Sequence, residues 1–113
     1  MNKELKKIVD LIKKEPAVNE IALFGSRARK SHTPKSDYDI MVYVNPNIHI
    51  SSMTYDKIFK TPKKFDIKII EDRKYYGDTM WVLDRWSWNA KEEQGTPISV
   101  EILEDMKTLW KRK

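Results

Sequence analysis

Two aspartates at alternate positions, Asp37 and Asp39, follow a glycine-serine pair, Gly25-Ser26, and these residues carry the clearest chemical signal in the sequence. Side chains alternate between the two faces of a β-strand, so both carboxylates point to the same face. Oxygen ligands of this kind suit a hard divalent cation such as Mg²⁺. The pattern therefore predicts a metal site on a strand over residues 37–44.

The residues before the aspartates predict a phosphate site beside this metal. Residues 18–24 form a short apolar run typical of a strand, and the residues after Gly25-Ser26 can open a helix. A strand, a glycine-serine corner and a helix N-terminus together offer backbone N–H groups to a phosphate, while Arg27 and Arg29 add positive charge. Anion and metal would then bind at one place.

A third carboxylate, Asp66, stands near the start of a β-branched run over residues 65–70, which predicts another strand. If that strand pairs beside the strand of Asp37 and Asp39, Asp66 lies next to the metals. There it could take a proton from an attacking hydroxyl.

These motifs resemble the signature of the DNA polymerase β-type nucleotidyltransferase superfamily, and above all its minimal, single-domain members. The resemblance covers residues 17–98 and is strongest over residues 24–40. The residues that carry it are Gly25-Ser26, Arg27-Ala28-Arg29, Ser36-Asp37-Tyr38-Asp39-Ile40 and Gly95-Thr96-Pro97-Ile98. One departure is Lys30, where many minimal members carry a glycine.

The resemblance implies an α/β (α+β) fold with a small mixed sheet flanked by helices. It also implies a reaction in which two Mg²⁺ ions guide transfer of a nucleoside monophosphate from a nucleoside triphosphate, ATP in the first instance, to a hydroxyl. By position, the implied catalytic residues and metal ligands are Asp37, Asp39 and Asp66. The implied nucleotide-binding residues are Gly25, Ser26, Arg27, Arg29 and Ser36. Minimal members are often encoded with a small helical partner and can act as the antitoxin that adenylylates it.

Simpler interpretations of these residues stay open. An Asp-x-Asp pair next to a turn also occurs as a solvated strand end, and Asp66 could face solvent at the start of its strand. Arg27 and Arg29 could be exposed charges on a short helix. At the level of function, a nucleotide-binding regulatory module without turnover and a structural subunit are the alternatives to an enzyme.

The composition is that of one small domain over residues 1–113. Hydrophobic residues make up 40% and charged residues 35% of the chain, as in soluble globular proteins. No apolar run is long enough to span a membrane, and the absence of cysteine excludes disulfides and thiolate metal sites, so a cytoplasmic location is expected. The net charge of +5 is scattered among interleaved acids, which argues against direct polynucleotide binding.

Periodicity predicts helices over residues 2–15, from Ser51-Ser52 to about residue 61, and over residues 78–94, with a further helix at the C-terminus. In the third helix, a core stripe would contain Met80, Leu83, Trp86 and Ala90. Trp81 and Trp88 would then lie on the opposite side. We expect this indole pair to contact a partner protein or a second copy of the chain, unless the C-terminal helix with Trp110 covers it.

Overall fold

The fold is built around a mixed four-stranded sheet. The structure, a computed structural model, describes residues 1–72 and 77–113. Its helices are α1 (Lys3–Lys13), α2 (Gly25–Ala28), α3 (Ser52–Phe59) and α4 (Arg85–Ala90), with a 3₁₀ turn over Val100–Leu103. Its strands are β1 (Val18–Phe24), β2 (Tyr38–Val44), β3 (Phe65–Glu71), β4 (Thr79–Val82), β5 (Thr96–Ser99) and β6 (Lys107–Lys111). Within the described ranges, no helix has the length and apolar character needed to cross a membrane.

The strand order of the main sheet is β3-β2-β1-β6. Strand β1 is antiparallel to both β2 and β6, whereas β2 and β3 are parallel. Strands β4 and β5 form a separate antiparallel pair. Two backbone hydrogen bonds of 2.8 Å between Ile69 and Leu83 join this pair to β3.

One face of the main sheet is covered by α1 and α3. Every second residue of β2 and β3 points to this side, including Ile40, Val42 and Ile67, and these side chains are at most 3% exposed. The apolar stripe of α1 and Phe59 of α3 pack onto them. Each Å² of apolar surface that is removed from water stabilises the fold by about 25 cal/mol. This burial holds the parallel strands in register.

The opposite face of the sheet is divided along its length. Met41, Tyr43 and Ile70 lie toward the ends of β2 and β3 and pack against Met80 and Val82 of β4. Asp39 and Asp66 lie on the same face at the beginning of these two strands, beyond the apolar cluster. On this face of the sheet, a polar patch at the beginning of the strands therefore lies next to a buried apolar cluster.

Local signals account for the first half of the chain. Asn2 caps α1 by accepting from the Leu5 N–H at 2.8 Å, and Ser51 caps α3 by accepting from the Thr54 N–H. The predicted strand over residues 18–24 and the predicted strand of Asp66 are confirmed. The aspartate strand begins one residue later than predicted, at Tyr38.

The predicted helix over residues 78–94 is wrong. Residues 79–82 form β4, in which Met80 and Val82 alternate into the core, and the helix begins only at Arg85. Asp84 starts it through a capping box with Ser87, a local signal that the helical spacing of the preceding apolar residues concealed. Gly95 lies in the connection between α4 and β5.

The core stripe expected for that helix is wrong as well. Trp86 is 64% exposed, and Trp81 lies on β4 with 38% of its surface exposed. Trp88, which was expected to contact a partner, packs instead against α3 of its own chain. Its ring centroid lies 5.0 Å from that of Tyr55, and its Nε1 donates to Asp56 at 2.8 Å. Trp81 and Trp88 thus belong to different elements, and they do not form a shared helix face.

The predicted C-terminal helix is also wrong. Residues 107–111 form β6, which pairs with β1 and places Trp110 opposite Ile21. The strand supplies hydrogen-bonding partners to an edge of β1 that would otherwise lack them. This long-range requirement overrides the helical spacing of Leu103, Met106 and Trp110.

Lys30 adopts a left-handed backbone conformation, with φ of 61°. It follows α2, where the Ser31 N–H donates to the Ser26 carbonyl at 3.0 Å and the Lys30 N–H donates to that of Arg27 at 3.4 Å. These are the two hydrogen bonds of a Schellman motif, whose left-handed position favours glycine. Lys30 therefore occupies a position at which glycine is favoured.

We predict that Lys30→Gly raises the free energy of unfolding by about 1 kcal/mol, because it relieves the Cβ strain at a positive φ. Urea denaturation measures the change. Lys30→Ala is the matched control, since it removes the same charge but keeps Cβ. Equal stability of the glycine and alanine variants would contradict the assigned backbone strain.

Candidate functional site

The two strand pairings of β2 assemble the site. Antiparallel pairing puts Asp39 opposite Phe24, the last residue of β1, and parallel pairing puts Asp39 opposite Asp66 on β3. The pairing of the two aspartate strands expected from the sequence is thus present. Asp37 precedes β2 by one residue and is exposed, whereas Asp39 and Asp66 are partly buried.

Gly25 turns the chain directly against Asp39. Its φ is 73°, and a Cβ placed on it would lie 2.4 Å from Asp39 Oδ2. Only glycine allows both the left-handed backbone and this close approach. The corner therefore brings the start of α2, including Ser26, beside a carboxylate of the site.

Repulsion and burial act on Asp39 together. Burial raises the pKa of the Asp39 carboxyl above its ordinary value, and the neighbouring charge of Asp66 raises that pKa further, with a smaller contribution from Asp37. Lys68 and Arg29 oppose the rise in the pKa through their positive charges. The ionised carboxylates at the start of β2 and β3 thus favour a nearby cation.

Lys68 is a member of this site that the sequence analysis missed. It lies on the same face of β3 as Asp66, and its Nζ donates to Asp66 Oδ2 at 2.8 Å. Its side chain is only 13% exposed, while that of Asp66 is 43% exposed. The period-two spacing from Asp66 could have indicated the shared face, but the many lysines in the chain concealed it.

Arg27 holds the loop that leads into β2. Its Nε and Nη2 donate to the Ser36 carbonyl at 3.2 and 3.0 Å, and its guanidinium lies 3.9 Å from the ring centroid of Tyr38. The Ser36 Oγ accepts from the Thr33 N–H at 3.0 Å. In this structure Arg27 and Ser36 therefore position the chain around Asp37, whereas Arg29 is exposed and its charge acts on Asp39.

The carboxylates fit a divalent cation in type and in electrostatics. Asp37, Asp39 and Asp66 offer hard oxygen ligands, and a cation bound between Asp39 and Asp66 would relieve the repulsion described above. Over residues 1–72 and 77–113, no three histidine, cysteine or acidic side chains are already gathered at metal-binding distance. Ligand positions would have to adjust when a cation binds.

Two clefts lie away from these residues. One, of about 670 Å³, lies at the far end of β2 and β3 and contacts Val44, Glu71 and Trp81. The other, of about 620 Å³, lies beside α4 and contacts Asp56 and Trp88. Neither of these two clefts is lined by Asp37, Asp39 or Asp66.

Comparison with known proteins gives the family. The model of the family described as polymerase beta, nucleotidyltransferase, matches residues 6–77, which is more than half of the chain. This chain belongs to the polymerase β nucleotidyltransferase family. The matched region contains every residue of the site described above.

One solved structure supports the fold over nearly the whole chain. It is a protein from Sulfolobus solfataricus described as a proposed nucleotidyltransferase, with 20% sequence identity and a TM-score of 0.54. The match covers 97% of this chain and 79% of that chain. It confirms the mixed sheet flanked by helices. A comparison with curated proteins gives no significant match.

We predict that Asp39→Asn stabilises the metal-free protein at neutral pH. Because burial and Asp66 raise the Asp39 pKa, the stability contributed by its protonated form is present below the ordinary value of 3.8 and is lost as the pH rises through the folded-state value. The gain from asparagine should therefore be largest near pH 7 and vanish near about pH 3. Urea denaturation with a chelator, repeated across this range, measures it.

Asp10→Asn provides a control of opposite sign. The pKa of Asp10 is lowered, first by its hydrogen bond from Lys13, so its ionised form stabilises the fold above the ordinary pKa. Asparagine at this position should reduce stability at neutral pH and have little effect in acid. Loss of stability at pH 7 in Asp39→Asn would show that the carboxylates do not repel as described.

Proposed function

We propose that this chain transfers a nucleoside monophosphate from a nucleoside triphosphate, ATP in the first instance, to a hydroxyl acceptor. The single observation that supports this is the register of β2 and β3, in which Asp39 and Asp66 are partners next to the Gly25 corner. Membership of the nucleotidyltransferase family supports the general reaction. The metal, the nucleotide and the acceptor are parts of the proposal.

In this proposal Asp37, Asp39 and Asp66 hold two Mg²⁺ ions. Bound Mg²⁺ would neutralise charge on the triphosphate and lower the pKa of the attacking hydroxyl. The acceptor oxygen forms a bond to the α-phosphorus while the bond to the bridging oxygen breaks, and pyrophosphate leaves. Asp66 accepts the hydroxyl proton, a role for which its partly exposed carboxylate at the start of β3 is accessible.

The Gly25-Ser26 corner is proposed to bind the triphosphate. Phe24, which precedes α2, makes no side-chain cap, so the first N–H groups of this turn are not satisfied by the capping residue. Arg29, exposed and close enough to lower the Asp39 pKa, adds positive charge for the phosphates. Arg27 contributes indirectly by fixing the loop that carries Ser36 and Asp37.

The acceptor is proposed to be a hydroxyl on another protein, such as a small helical partner in a toxin–antitoxin pair. Trp81 on β4 and Trp88 on α4 do not share the helix face that was expected to bind a partner. Exposed indoles are nevertheless present at Trp81 and Trp86, and aromatic side chains of this kind commonly anchor protein contacts. A second copy of the chain is the other partner that such a surface would suit.

A second candidate function is nucleotide binding without turnover. The ion pair between Lys68 and Asp66 favours it, because the third carboxylate already has a cationic partner. Measuring pyrophosphate release together with nucleotide binding separates the two functions. Binding without release by the wild-type chain, with its partner present, would support the regulatory alternative.

We predict that Asp39→Asn and Asp66→Asn each reduce nucleotidyl transfer by about a hundredfold or more, since each removes a charged ligand or the proton acceptor. The assay supplies each nucleoside triphosphate, labelled at the α-phosphorus, with Mg²⁺ and follows pyrophosphate release and labelled product. Asp105→Asn, an exposed carboxylate next to the 3₁₀ turn, is the control. Unchanged transfer in both site variants would disprove the assignment.

We also predict different effects of alanine at two glycines with a positive φ. Gly77→Ala should lower stability by about 1 kcal/mol and Gly25→Ala by more, because φ is positive at both glycines but only the Cβ added at Gly25 meets a neighbouring atom. Only Gly25→Ala should weaken Mg·ATP binding, because its Cβ meets the Asp39 carboxylate whereas that of Gly77 meets nothing within 4 Å. Calorimetry of both variants makes the comparison. Equal Mg·ATP affinity would place the nucleotide elsewhere.

A further inference from the structure

Lys68 is a mostly buried cation at the carboxylates of the site. It lies opposite Met41 in the parallel register, two residues along the strands from the Asp39–Asp66 pair and on the same face. Its Nζ lies 2.8 Å from Asp66 Oδ2 and 5.8 Å from the centre of the Phe24 ring. The ammonium group is therefore located on the face where the site must bind positive charge.

The surroundings of Lys68 tie it to Asp66. With 13% of its side chain exposed, it is poorly hydrated, and a buried ammonium group is costly unless an anion pairs with it. Its register partner Met41 and the Phe24 ring near its Nζ are apolar and carry no charge. Moving the ammonium group away from Asp66 would leave it desolvated without its anionic partner.

We propose that Lys68 is a tethered cation that takes the place of a divalent metal ion at Asp66 in the metal-free protein and sets the metal affinity of the site. A metal ion that binds Asp66 must either share this carboxylate with the ammonium group or displace it. Both routes oppose binding through like-charge repulsion or desolvation. Lys68 is thus a positioning residue, which holds Asp66 in place and keeps the site weak until metal and triphosphate arrive together. This inference rests on the proposed function, since it concerns the same carboxylates.

The test measures Mn²⁺ binding, with Mn²⁺ as a spectroscopic substitute for Mg²⁺. Lys68→Met keeps an unbranched apolar side chain of similar length and removes the charge, so Mn²⁺ should bind about tenfold more tightly or better. Lys68→Arg keeps the charge and should retain the weak affinity of the wild type. Lys57→Met, on the exposed side of α3, controls for the change in net charge. Electron paramagnetic resonance of free Mn²⁺ gives each dissociation constant without any activity assay.

Thermal unfolding gives a second readout. A ligand that binds only the folded state raises the melting temperature in proportion to the logarithm of its excess over the dissociation constant. Added Mn²⁺ should therefore raise the melting temperature of Lys68→Met more than that of the wild type, Lys68→Arg or Lys57→Met. Each melting temperature is compared with that of the same variant in chelator, so a packing defect of the methionine variant cancels.

The outcomes distinguish this inference from the proposed function. If the wild type binds Mn²⁺, Asp39→Asn does not, and Lys68→Met binds no more tightly than the wild type, the tethered-cation role is wrong and the metal site stands. Tight binding by both Lys68→Met and Lys68→Arg would also overturn it, because the charge would then not be the cause. If no variant binds Mn²⁺ with or without ATP, the inference and the proposed function are both wrong.

Discussion

The parallel register of β2 and β3 places Asp39 beside Asp66. The packing around these strands must offset the repulsion between the two carboxylates. Backbones of neighbouring strands lie about 4.8 Å apart, at which distance two unit charges repel by about 3 kcal/mol at an effective dielectric constant of about 20, before solvent screening reduces it. Asp39 and Asp66 are in this position. The apolar packing on the other face of the sheet, where Ile40 and Ile67 are buried under α1 and α3, helps to hold the strands in that register.

Packed apolar residues and the acidic residues of the site occupy different parts of the sheet, both along its length and across its two faces. Near the ends of β2 and β3, β4 covers Met41, Tyr43 and Ile70. The Asp39–Asp66 pair therefore lies next to a closely packed cluster. Near the beginning of the strands, the missing Cβ of Gly25 lets the backbone lie directly against the Asp39 carboxylate, where any side chain would meet Oδ2. In the proposed function, this corner without a Cβ lets the triphosphate approach the carboxylates closely.

Sequence reasoning succeeded where a local signal and the tertiary structure agree. The strand of Asp39, the glycine corner and the capped helix α3 each depend on residues within a few positions, and each is found close to its expected bounds. It failed over residues 78–94 and at the C-terminus, where apolar residues at helical spacing form strands β4 and β6 instead. The pairing of β6 with β1 joins residues at opposite ends of the chain, and no local pattern contains that information.

Lys68 shows why the charges of a site are harder to predict than its carboxylates. The chain has 22 lysine and arginine residues, so one more lysine in a strand carries no signal by type. Burial distinguishes it: in the other ion pairs of the described residues the lysine side chains are 40–69% exposed, whereas that of Lys68 is 13% exposed. Exposed pairs contribute about 0–1 kcal/mol, but an ammonium group withdrawn from water depends on its anion. The degree of burial follows from the register of β3 and the position of Phe24, which the three-dimensional structure alone reveals.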